Sequence, residues 1–81
     1  MITSGQIRAA RALLRWSSTE LSDACGVGTA TIKRLEVMEG GPSGQVRTLL
    51  SIKEALESAG VEFIGGPTEN PGVRLKTKPV V

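Results

Sequence analysis

Apolar residues recur at offsets of three and four through the first part of the chain and then switch to alternation, which divides it into a helical part and a strand part. Ile7, Ala10, Leu13 and Leu14 form the first helical stripe, which runs to Arg15 and opens on Thr3 and Gln6, spaced as a capping box. Ser17 and Glu20 make a second such box. Behind it, Leu21, Ala24 and Cys25 form a short stripe that stops at Gly26, a residue suited to the left-handed conformation of a helix end. After Gly26-Val27-Gly28 a third helix is predicted from Thr29, with Ile32 and Leu35 as its inward pair and Gly40-Gly41-Pro42 ending the pattern. Ser43 is placed to cap a fourth helix, in which Leu49, Ile52, Leu56 and Ala59 recur until Gly60 stops it. Val61-Glu62-Phe63-Ile64 and Val73-Arg74-Leu75-Lys76 then alternate as half-buried strands do. They are predicted to pair as a hairpin across the turn-rich residues 65–72, with a register that the pattern leaves open. Residues 77–81 are expected to fray.

The third helix has two faces. At about 100 degrees per residue, Ile32 and Leu35 fall on one side, and Thr29, Ala30, Lys33, Arg34 and Val37 on the other. A short helix entered through a three-residue turn, anchored by Leu21, Val27, Ile32 and Leu35 and turning its other face to solvent, has the layout of a helix-turn-helix. Its outward side is the candidate surface for a DNA major groove.

Composition narrows the chemistry. With 81 residues, 40% apolar and 22% charged, the chain has room for one small domain with a modest core. Residues 1–60 read as that domain, 61–76 as its hairpin and 77–81 as a tail. No run approaches the ~18 apolar residues of a membrane span. Met1-Ile2-Thr3-Ser4 lacks the regions of a secretory signal, so a cytoplasmic location is expected. There is no histidine and no tyrosine, and Cys25 is the single cysteine. Transition-metal sites, Ser-His triads and Cys-His pairs are thereby excluded, and the chain is expected to be a binder rather than an enzyme, with no cofactor, metal or small-molecule ligand. Cys25 reads as a buried small side chain and Trp16, alone between two helices, as core. Net charge is only +2. Its distribution is more telling: residues 1–36 hold Arg8, Arg11, Arg15, Lys33 and Arg34 against Glu20, Asp23 and Glu36, whereas residues 37–60 hold Arg47 and Lys53 against Glu39, Glu54 and Glu57.

Residues 6–36, QIRAARALLRWSSTELSDACGVGTATIKRLE, resemble the Cro/cI-type helix-turn-helix family of bacterial and phage regulators, also called the XRE family. The matching features are Arg11, Trp16-Ser17 ahead of the second helix, Leu21 with small Ser22 beside it, Gly26-Val27 in the turn, and Thr31-Ile32 with Glu36. TLLSIKEALESAGVEFI and PGVRL further on are similar to small members in which a C-terminal hairpin replaces a fifth helix. Two positions depart: Ser18 stands where many members have a Gln that touches DNA, and Gly28 where a Ser commonly caps the third helix. The resemblance implies a mainly α, four-helix lambda-repressor-like helix-turn-helix domain with a C-terminal β-hairpin. It also makes Thr29, Ala30, Lys33 and Arg34 the base-facing set and puts Ser18, Gly28, Gln45 and Arg47 on the DNA backbone. Arg11 and Glu36 become an internal ion pair. Arg8 and Arg15 stay open between phosphate contact and solvated surface.

Base-facing residues of these types suit the task, since Lys and Arg bond guanine edges, Thr a base edge or phosphate, and Ala a thymine methyl. So few cations give one copy weak binding, which points to a homodimer reading a palindromic or near-palindromic operator in double-stranded DNA. Repression of transcription through residues 29–37 is the expected outcome. The hairpin, marginal alone, is expected to cover the fourth helix, its counterpart in another chain or both, and to supply dimer contact through Val61, Phe63, Ile64, Val73 and Leu75. The alternative is a helix-turn-helix that binds protein, such as an antitoxin or antiactivator.

Overall fold

The computed structural model describes residues 2–38, 46–66 and 69–76. They form helices α1 (Ser4–Leu14), α2 (Ser18–Cys25), α3 (Thr29–Glu36) and α4 (Val46–Ser58), followed by strands β1 (Val61–Ile64) and β2 (Gly72–Leu75). Both capping boxes are closed. Thr3 Oγ1 accepts from the Gln6 N–H at 3.0 Å while Gln6 Oε1 accepts from the Thr3 N–H at 2.8 Å. Ser17 and Glu20 make the same exchange, both bonds 3.1 Å.

One helix end differs from the sequence pattern. α1 stops one residue before Arg15, which takes the left-handed conformation with φ 57° and returns its N–H to the carbonyl oxygens of Ala12 and Arg11. Gly26, with φ 75°, ends α2 at the expected place, its N–H donating to Ser22 O at 2.8 Å. The proposed Ser43 cap of α4 lies outside the described residues.

Ile7 and Ala10 from α1, Leu21 from α2, Ile32 and Leu35 from α3, Leu49, Ile52 and Leu56 from α4, and Val61 from β1 are buried together, with Ile2 closing one end. Each large side chain among them contributes roughly 1.5–3 kcal/mol by leaving water. Four assignments change. Leu13 and Ala24 are exposed, because the 100 degree step carries them past the edge of the stripe, and Trp16 and Cys25 pack on the core while remaining only partly buried.

The strands pair antiparallel with Val61 opposite Leu75 and Ile64 opposite Gly72. β2 therefore begins one residue earlier than its alternation indicates and releases Lys76, whose N–H instead donates to Gly60 O at 2.7 Å. Glu62 and Arg74, cross-strand partners on the outer face, form an ion pair. β1 lies against α4, while β2 lies along α1, a neighbour that the sequence pattern does not reveal.

The hairpin is held to α1 by one buried amide. Gln6 Nε2 donates to Ile64 O at 3.2 Å and to Gly72 O at 3.0 Å, bridging the last paired residues of both strands while its Oε1 completes the α1 cap. Among the described residues every buried side-chain nitrogen and oxygen has a partner, and Gln6 uses all of its hydrogen-bonding groups except one lone pair. The variant Gln6→Glu keeps the cap acceptor but sets a carboxylate against two carbonyl oxygens. It should cost about 2 kcal/mol in urea unfolding at neutral pH. The crowded carboxylate has a raised folded pKa, so the penalty should shrink as pH falls and the group becomes a donor; a penalty unchanged by pH would dissociate Gln6 from the hairpin carbonyls.

Candidate nucleic-acid interface

The faces of α3 are set from behind. Ile32 and Leu35 are buried in the core, and Glu36, only 6% exposed, turns inward beside them. Burying a carboxylate requires a cation and further bonds. Arg11 supplies them from α1: its Nε donates to Glu36 Oε2 at 2.7 Å and its Nη2 to Glu36 Oε1 at 2.9 Å, a two-pronged contact. Its Nη1 donates to Trp16 O at 2.9 Å, so the same guanidinium also fixes the turn between α1 and α2. The structure thus brings Arg11 and Glu36 together. The hydrogen bond to Glu36 raises the Arg11 pKa above its ordinary value, with the Glu36 charge adding to the rise and partial burial opposing it. The raised value means that the associated stability is complete below the ordinary guanidinium range and fades only as pH climbs beyond it.

With Glu36 inside, Ala30, Lys33, Arg34 and Val37 are exposed, Val37 at 74%. Thr29 is half-buried at the first position of the helix. Its predecessor Gly28 is the N-cap and makes no side-chain cap bond, which leaves the first N–H groups of α3 open to an outside acceptor. No exposed residue of α3 is acidic. Two cations, a small apolar side chain and a larger one are therefore presented together on one helical face.

The remaining candidates are dispersed. Ser18 is half-buried at the start of α2, and Arg47 is exposed in the first turn of α4. Gln45 lies outside the described residues. Arg8 and Arg15 are exposed. Within the hairpin, Val61 is 1% exposed and belongs to the core of its own chain, which corrects its assignment as interface surface; β1 turns it onto α4. Phe63 and Val73 are half-buried, whereas Ile64 at 41% and Leu75 at 38% are open. Ser4, which the sequence did not single out, donates from Oγ to Met38 O at 2.6 Å and ties the chain leaving α3 back to α1. No local pattern announces that bond. Among the described residues no group of three or more His, Cys, Asp and Glu could hold a metal ion, and no helix is long and apolar enough to cross a membrane.

Arg11→Ala should cost about 3 kcal/mol in unfolding free energy, because it leaves Glu36 buried and unpaired. Replacing both partners, as Arg11→Met with Glu36→Leu, should recover more than half of that loss. A double variant no more stable than Arg11→Ala would show that Trp16 O, not Glu36, is the partner that matters.

No family model and no curated protein matches this chain.

Proposed function

We propose that the protein is a sequence-specific DNA-binding regulator of helix-turn-helix type, related to the Cro/cI-type family, in which α2 and α3 form the motif and α3 enters the major groove. The observation that carries this reading is the outward face of α3, with Lys33 and Arg34 exposed while the only acidic residue of that helix is turned inward. Ala30 and Val37 beside them supply apolar contact of the kind that meets a thymine methyl. The uncapped start of α3 favours a phosphate, and Arg47 and Ser18 are available to the backbone on either side of the motif.

Two copies related by a two-fold axis would place their α3 helices about 34 Å apart on successive turns of a palindromic operator. The proposed subunit contact is the hairpin, with open Leu75 and half-buried Phe63 and Val73 on one face and open Ile64 on the other. Repression by occupying a promoter is the outcome we assign to such a dimer in the cytoplasm. The 74% exposure of Val37 also favours the rival in which α3 docks on a protein, as in an antitoxin or antiactivator.

Selection from a random pool of duplexes separates the two, since only the DNA reader enriches a sequence, and a two-fold one. Against the enriched duplex, Lys33→Ala and Arg34→Ala should each lose about 1–3 kcal/mol of binding, with the melting temperature unchanged. Failure to enrich any duplex would remove the DNA reading. Ile64→Lys with Leu75→Lys should sediment as a monomer and bind the operator more weakly, its helical circular dichroism intact; a dimer of undiminished strength would place the contact elsewhere.

A further inference from the structure

A groove runs between α2 and α4, on surfaces that neither the core nor the α3 face uses. It holds about 520 Å³, with Trp16 and Cys25 on one side and the stretch of α4 from Ser51 to Ala59 on the other. The 100 degree step orders the α4 side: half-buried Ala55 and Ala59 fall toward the core residues Ile52 and Leu56, while Ser51, Glu54 and Ser58 fall on the outer edge. The groove thus has an apolar floor and a polar rim. Its lining has one charged residue, exposed Glu54, and Arg47, the one cation on that edge of α4, stands about 10 Å away along the helix. Both backbone groups of Trp16 are bonded to Arg11, the N–H donating to Arg11 O at 2.9 Å and the O accepting from Arg11 Nη1 at 2.9 Å, so the main chain of this wall is fixed in advance.

We propose that the groove binds a small organic cation, an ammonium ion on an apolar body, with the body against Trp16, Cys25 and the alanines and the ammonium on Glu54. The volume lies within the range of about 300–1,000 Å³ that small-molecule sites occupy. Each part of the lining has a matching part of the ligand. The carboxylate of Glu54 forms a charge-assisted hydrogen bond, the Ser51 and Ser58 hydroxyls accept the remaining ammonium hydrogens, and an indole ring attracts a cation as well as covering the body. A neutral molecule of the same shape forgoes the carboxylate, and an anion is repelled by it. A protein is a poorer fit: of the large apolar side chains exposed among the described residues none lines the groove, so its apolar surface is that of a ligand-sized recess. The site uses no residue of the α3 face, and the inference stands apart from the DNA reading.

Trp16 is the only tryptophan and Cys25 the only cysteine of the chain, and both line the groove, so emission and thiol reactivity report on it directly. The full chain is titrated with 4-phenylbutylammonium, and with 4-phenylbutanol and 4-phenylbutyrate as its neutral and anionic counterparts. The ammonium compound should change Trp16 emission saturably and slow the reaction of Cys25 with a thiol reagent severalfold. The alcohol should bind about tenfold more weakly, and the carboxylate more weakly still. Glu54→Gln should remove the preference of the ammonium over the alcohol, and Glu54→Lys should turn it toward the carboxylate, both at unchanged helical circular dichroism. Equal affinity of the original chain for ammonium and alcohol, or absence of saturation by all three, would overturn the proposal. Protection of Cys25 that grows with protein concentration alone would overturn it in favour of a second copy.

Discussion

The contact of Arg11 with Glu36 and Trp16 O is the constraint on which the presentation of α3 depends. Apolar packing of Leu21, Ile32 and Leu35 holds α3 to α2 and the core and turns its apolar side inward, within the tolerance of side-chain packing. The two-pronged guanidinium contact narrows that tolerance. It fixes where Glu36 points, and a helix with one side chain fixed has every other direction set by the 100 degree step. Lys33 and Arg34 face outward because Ile32, Leu35 and Glu36 together face in. Such a pair contributes less to stability than its distances suggest, since both groups lose water; its larger contribution here is orientation.

What was legible in the sequence follows from how far each signal reaches along the chain. Thr3 with Gln6, Ser17 with Glu20, and Gly26 act over one helical turn, and the structure has each where the spacing puts it. The inward pair Ile32 and Leu35 was equally legible. Stripe edges were not. Leu13 and Ala24 are apolar and correctly spaced, yet whether a side chain at the margin meets a neighbour depends on the angle at which the next element crosses. Arg15 hid the end of α1 because a left-handed non-glycine residue leaves no sign in the pattern. The hairpin strands were legible, and so was cover of α4, which β1 supplies; that β2 lies along α1 was not, since alternation says that one face is covered without saying by what.

The hairpin also resolves a difficulty of size. Four short helices bury a small core, and a two-stranded sheet alone is marginal, so each completes the other. Val61 extends the core from β1, Phe63 and Val73 cover its rim, and the ion pair of Glu62 with Arg74 keeps the outer face charged. Charge on the outer face of a two-stranded sheet discourages stacking on unrelated strands, while Ile64 on the same face remains open.

Gln6 sits at the beginning of the chain and its last two acceptors are 58 and 66 residues further on. In vectorial synthesis, α1 and its cap can form long before Ile64 and Gly72 exist, with the free amide of Gln6 bonded to water. Helical contacts close early because they are local, and the sheet can register on α1 only when the final strand arrives. The amide then marks completion: both strand ends must be in place before its two donors are satisfied by protein, so in a nascent chain halted before Gly72 the flank of α1 stays wet.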